Sequence, residues 1–154
     1  MEEIRFACDA MLGRLARWLR FAGFDAAFEP SVGDAALAGR ARAEGRWLLT
    51  CDHGLAATAG PRVVLLRGRR AADQVAELRA RLPLTVDRGR FFTRCSCCNR
   101  SLAAVAAEAV RNRVPPYVAL HAGRFVACPG CGRVYWPGSH TGRIARQLEA
   151  WFTE

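Results

Sequence analysis

Three aspartates and two pairs of cysteines are the residues in this chain whose types and spacing could do chemistry. Ile4-Arg5-Phe6-Ala7-Cys8-Asp9 is a short apolar run that ends in a carboxylate, and Trp47-Leu48-Leu49-Thr50-Cys51-Asp52 repeats the pattern. Each reads as a strand delivering an acid at its carboxyl end, and in open α/β sheets ligands sit in the crevice outside those ends. Asp34 follows a weaker strand, Asp25-Ala26-Ala27-Phe28, across a Pro- and Gly-bearing loop and opens a helix, which puts it on the same rim. Carboxylates on one rim repel one another unless they share a cation, and all-oxygen sites suit Mg2+ or Mn2+, which bind phosphate at the same time. The chemistry this predicts is metal-assisted phosphodiester hydrolysis with Asp9, Asp34 and Asp52 as catalytic residues. One ion would activate water and another would steady the leaving oxygen. The plainer alternative is that each Asp caps the helix after it, since Asp is a favoured N-cap residue. Asp73, in a helix start after the fourth strand, could join the rim, though a cap or a solvated face explains it more simply.

Other uses of a strand-end Asp meet obstacles in the sequence. Aspartyl-phosphate phosphatases of the haloacid dehalogenase type want a second Asp two residues on, where this chain has Met11, and receiver domains need a Lys, of which there is none.

The cysteines carry a different chemistry. Cys95-Ser96-Cys97-Cys98 and Cys128-Pro129-Gly130-Cys131-Gly132 are two knuckles in which two thiolates can share one ion, and the Gly after the second permits the tight turn that aims backbone amides at sulfur. Cys95, Cys98, Cys128 and Cys131 are the expected ligands of a closed tetrahedral Zn2+. Such a site has no open position, so it is structural. Cys97 is a spectator, and Cys8 and Cys51 read as small buried residues at strand ends.

These groups need a scaffold. Leu12, Leu15, Ala16, Leu19 and Ala22 fall on one face of a helix over Met11–Ala22 that Gly23 stops. Arg14, Arg17 and Arg20 occupy the opposite side, and Trp18 and Phe21 also point away, ready to pack under another part of the chain. Asp34–Glu44 reads as a second helix, His53–Ala59 as a short turn or helix, Val63-Val64-Leu65-Leu66 as a fourth strand and Ala71–Leu82 as a further helix. Alternating strands and helices call for a parallel sheet covered on both faces, and the order 2-1-3-4 would make the strands carrying Asp9 and Asp52 neighbours. Residues 1–87 are thus read as the catalytic domain and 88–154 as a zinc ribbon with a closing helix from Gly142 to Phe152. Pro83 to Arg94 is read as a linker, Ala104 to Arg111 as a helix ended by Val114-Pro115-Pro116, and Ala122-Gly123 as a hairpin turn before the strand Arg124–Ala127.

The formal net charge is +9, and all 23 basic residues are Arg. Residues 1–87 hold 13 Arg against 11 acids, +2, whereas residues 88–154 hold 10 against 3, +7. Even with a four-thiolate zinc site adding about −2, the second half stays near +5, enough to attract a phosphate backbone. Arg14, Arg17, Arg111 and Arg113 are candidate nucleic-acid contacts. No stretch is long enough for a membrane span, the first residues are acidic, and no basic amphipathic helix suits a membrane surface, so a cytoplasmic protein without a membrane partner is expected.

Asp9-Ala10-Met11-Leu12-Gly13-Arg14-Leu15-Ala16-Arg17-Trp18-Leu19-Arg20, Leu48-Leu49-Thr50-Cys51-Asp52, Val114-Pro115-Pro116-Tyr117-Val118 and Cys128-Pro129-Gly130-Cys131-Gly132-Arg133-Val134-Tyr135-Trp136-Pro137-Gly138 together resemble the Mut-seven C-terminal RNase domain family. That family is PIN-like with a fused zinc ribbon. The resemblance implies a PIN-like three-layer α/β domain and a ribonuclease whose acids match Asp9, Asp34 and Asp52. Departures are Cys51, where a basic residue is common, and Cys97 inside the knuckle; neither removes a carboxylate or a ligand. The expected function is a Mg2+- or Mn2+-dependent ribonuclease acting on single-stranded RNA, tRNA or another structured RNA, with the ribbon as a basic clamp. A non-catalytic RNA-binding ribbon protein and an RNase toxin with an antitoxin partner are the competing readings.

Overall fold

Alternation along the first strand decides the layers. Phe6 and Cys8 face one side of the sheet and Ala7 the other, and each side is covered by its own cluster of buried apolar residues. The computed structural model describes residues 2–154. Strands β1 (Phe6–Cys8), β2 (Ala26–Phe28), β3 (Trp47–Thr50) and β4 (Val63–Leu65) are all parallel in the order β2-β1-β3-β4, as the sequence predicts. The helices are α1 (Gly13–Phe21), α2 (Asp34–Glu44), α3 (His53–Thr58), α4 (Ala71–Arg81), α5 (Ala107–Val110), α6 (Pro116–His121) and α7 (Ser139–Phe152). No helix among the described residues is long and apolar enough to cross a membrane.

One face of the sheet packs on α1, α4 and α7 through Leu15, Leu19, Val75, Leu78, Leu148 and Phe152; the other packs on α2 and α3 through Leu37, Ala41, Leu55 and Ala59. The predicted apolar stripe of α1 is fully buried, but its first turn, Ala10–Leu12, is a 3-10 helix. The helix ends at Gly23, whose φ of +98° is unfavourable for a side chain and where a Cβ would fall 2.5 Å from the Arg90 carbonyl oxygen. Trp18 and Phe21 pack as expected under the second half of the chain: Trp18 meets Trp151 at 4.8 Å and Phe21 meets Phe92 at 6.1 Å between ring centroids.

The boundary at residue 87 divides the chain but not the core. Leu148 and Phe152 of the closing helix are fully buried among residues of the first half, and Val86 N donates to Phe152 O at 2.9 Å. Leu84 and Val86 are buried too, so the segment read as a linker is packed down at its start.

A second, antiparallel sheet in the order β5-β6-β7 is formed by β5 (Ala103–Val105), β6 (Phe125–Ala127) and β7 (Val134–Tyr135). Two sequence expectations are corrected here. Of the expected helix Ala104 to Arg111, Ala104 and Val105 belong instead to a strand, because pairing with β6 outweighs the helix preference of alanine, and the helix is shortened to α5. Ala122-Gly123 joins α6 to β6 rather than two paired strands; the link between neighbouring β6 and β7 is the second cysteine knuckle.

Candidate active site and metal centre

Parallel pairing of β1 with β3 brings Asp9 and Asp52 to adjacent strand ends. A buried threonine joins them: Thr50 Oγ1 accepts from Asp52 N at 2.9 Å, which commits its own hydrogen to Asp9 Oδ2 at 2.8 Å. Asp9 is 8 % exposed, so its carboxylate is oriented before any substrate arrives. Sequence reading named Thr50 only as part of a strand. The signal that could have singled it out is a hydroxyl closing an apolar run immediately before Cys51-Asp52.

Capping, the plainer reading, is also present. Asp9 Oδ1 accepts from Ala10 N at 2.6 Å, and Asp52 Oδ1 accepts from Leu55 N at 3.0 Å as the N-cap of α3. Asp34 does not cap: Gly33 holds that position, and Asp34 is the first residue of α2 with an exposed side chain. Asp34 and Asp52 instead line a cleft of about 570 Å³ between α2 and α3, together with Arg42 and Thr58. Asp9 is outside that lining. The structure thus joins Asp9 to Asp52 and Asp34 to Asp52, without gathering the three carboxylates into one cluster. Asp73 is exposed in the first turn of α4.

Cys8 and Cys51 behave as packing residues. Burial pushes the Cys8 thiol up to about 12, and Cys51 is also raised, by burial and then by the charges of Asp9 and Glu77.

The four expected ligands do converge. The sulfurs of Cys95, Cys98, Cys128 and Cys131 all lie within 4.8 Å of one another, and they are the one such group among the described residues that could hold a metal ion. Backbone N–H groups of Gly130 and Cys131 point at Cys128 Sγ from 3.3 and 3.5 Å, the arrangement that steadies a thiolate. Burial opposes a charge on Cys95, but the Tyr135 hydroxyl at 3.1 Å and the amides of Cys98 and Cys97 outweigh it and hold the thiol down to about 6. Four soft donors at this spacing fit a metal such as zinc. Cys97 is exposed and outside the cluster.

The first knuckle is fastened to the edge of the parallel sheet. Arg20, placed by sequence on the outward face of α1, is 5 % exposed and donates to Ala26 O, Ser96 O and Cys97 O at 2.9 to 3.1 Å. Asn99, directly after Cys98, accepts from Ala26 N at 2.9 Å and donates to Asp25 Oδ1 at 2.7 Å, and Asp25 in turn pairs with Arg46 at 2.6 Å.

Of the candidate RNA contacts, Arg14 is exposed on α1, and Arg17 is exposed with its guanidinium 5.6 Å from the Phe21 ring centre. Arg111 is exposed and unpaired among the described residues, whereas Arg113 donates to the Gly132 carbonyl and so supports the second knuckle. Neither pairs with Glu108. On the same stretch Tyr117 and His121 stack at 4.1 Å on the exposed side of α6.

Residues 4–148 match the family model described as the Mut7-C RNAse domain. No curated protein and no solved structure matches the chain.

Proposed function

Given that the chain belongs to the Mut7-C RNAse domain family, a ribonuclease family by its description, we propose that it hydrolyses RNA phosphodiester bonds with Mg2+ or Mn2+ held by Asp9, Asp34 and Asp52. The observation that carries this reading is the Thr50 link, which ties the Asp9 carboxylate to the backbone of Asp52 on the neighbouring strand end, where an α/β sheet presents its ligand crevice. When bound, the divalent ion supplies the positive charge that activates water and steadies the leaving oxygen. Asp9 is the pre-oriented acid. Asp52 and Asp34, both exposed, contribute from the two walls of their shared cleft, and the reading requires them to turn toward Asp9. The four-cysteine cluster holds a structural zinc, and the ribbon, with Arg111 and the stacked Tyr117–His121 pair exposed, gives RNA a basic face with an aromatic surface for a base.

That Asp9 and Asp52 both cap helices favours a second reading, a non-catalytic RNA-binding protein. Cleavage of labelled RNAs with Mg2+, Mn2+ or EDTA separates the two. Asp9→Asn and Asp52→Asn should abolish cleavage while holding stability within about 1 kcal/mol, because Asn caps nearly as well as Asp. RNA binding without cleavage by the wild type would establish the second reading, and full cleavage by both variants would overturn the catalytic assignment of Asp9 and Asp52.

A further inference from the structure

Arg67-Gly68-Arg69-Arg70 connects β4 to α4 and emerges at the same end of the parallel sheet as Asp9 and Asp52. β3 and β4 pair Thr50 with Leu65, and Leu66 N donates to Thr50 O at 2.8 Å. Asp52 and Arg67 each follow two residues after that shared rung.

The loop is held in shape from below. Glu77 of α4 turns its carboxylate back to accept from Arg67 N at 2.9 Å and Gly68 N at 2.6 Å, and the buried Gln74 donates its amide to Gly68 O at 3.0 Å. A Cβ at Gly68 would lie 2.6 Å from Asp73 Cβ and 2.9 Å from Glu77 Oε1, so the backbone is pressed against the helix.

Three arginines stand on this fixed backbone. Arg67, Arg69 and Arg70 are exposed, and none forms an ion pair among the described residues. Glu77 is committed to backbone N–H groups, and the exposed Asp73 bonds none of the three. A rim of carboxylates repels a polyanion, so a substrate strand must be attracted by something beside it. Guanidinium groups grip phosphate through two parallel N–H donors, and here their backbone is already ordered.

We propose that Arg67, Arg69 and Arg70 form a phosphate-binding rim that holds the RNA backbone beside Asp52. The inference rests on the ribonuclease reading for the identity of the polyanion, but the binding it describes needs no cleavage.

The test uses the full-length protein purified with its zinc and carrying Asp52→Asn. Anisotropy of a labelled single-stranded RNA is followed across a salt series. Arg69→Gln/Arg70→Gln is compared with Arg79→Gln/Arg81→Gln, which removes the same charge from exposed positions at the opposite end of the same helix. The rim pair should weaken binding about tenfold and make the slope of log affinity against log salt shallower by roughly one to one and a half, while the far pair stays within about twofold. Equal losses from both pairs would mean that only net charge matters, and would overturn the proposal. An unchanged rim variant, or a parent protein that binds no RNA, would overturn it as well. The expected binding pattern in a wild-type protein that cleaves nothing would uphold the rim and sink the ribonuclease reading instead.

Discussion

Arg20 is a buried cation whose partners are backbone carbonyls, two of them in the first cysteine knuckle. Removing it leaves three carbonyls short of a donor, two of them in buried bonds, and such losses cost more than the bonds themselves contribute. Arg20→Leu should therefore cost about 2 to 4 kcal/mol in urea unfolding, whereas Arg14→Gln and Arg17→Gln on the exposed side of the same helix should stay within about 0.5 kcal/mol. Sequence periodicity could not show this. At about 100° per residue Arg20 falls with Arg14 and Arg17, and its partners at Ser96 and Cys97 lie 76 and 77 residues away. Asp25 has a similar hidden role. Burial raises its carboxyl, but hydrogen bonds from Arg46 and Asn99 outweigh that and hold it below the ordinary value. A depressed folded-state value means that its contribution to stability is complete above the ordinary carboxylate range near 4 and is lost as pH falls through the lowered value. Asp25→Asn should lower stability at neutral pH and flatten the loss seen below about pH 4, measured by thermal unfolding at stepped pH.

At the scale of elements, the proposed zinc would be the main tie between the two knuckles, since β5, β6 and β7 are two or three residues long and bury few side chains. Metal analysis should find about one zinc per chain. Cys128→Ser should open residues 93–137 to limited proteolysis, because ligand binding is most of the folding free energy of so small a sheet, while Cys97→Ser should retain the metal. The strands of the parallel sheet were legible because each is an apolar run that ends at a turn signal; the βα alternation made them parallel, and the order 2-1-3-4 was the one that makes the strands of Asp9 and Asp52 neighbours. The knuckles were legible from spacing alone. Ala103–Val105 was not, because alanine favours helix locally and the partner strand begins 20 residues after the first ends. The acidic site was half legible: strand ends announced Asp9 and Asp52, but neither the Thr50 link nor the separation of Asp9 from the Asp34 cleft can be read without side-chain directions.

For the molecule as a whole, net charge is carried by the second half and the acids by the first, and α7 binds the two halves into one core. A chain cut before Ser139 would expose the surfaces of Phe24, Leu78 and Trp18 that Leu148, Trp151 and Phe152 cover. Removing residues 139–154 should abolish cooperative unfolding of the remainder, checked by whether thermal and near-ultraviolet circular dichroism transitions persist. During synthesis this packing has a temporal meaning. Domains usually fold as they leave the ribosome, amino end first. Here the sheet that carries Asp9 and Asp52 has been made long before the helix that completes its core, so it must wait for Phe152 to emerge. A nascent chain, or one released early from a broken message, would carry the acids without a rigid rim to hold them. RNA near the ribosome, including the message being read, would meet this sheet in its finished form only once residues 139–152 had been made.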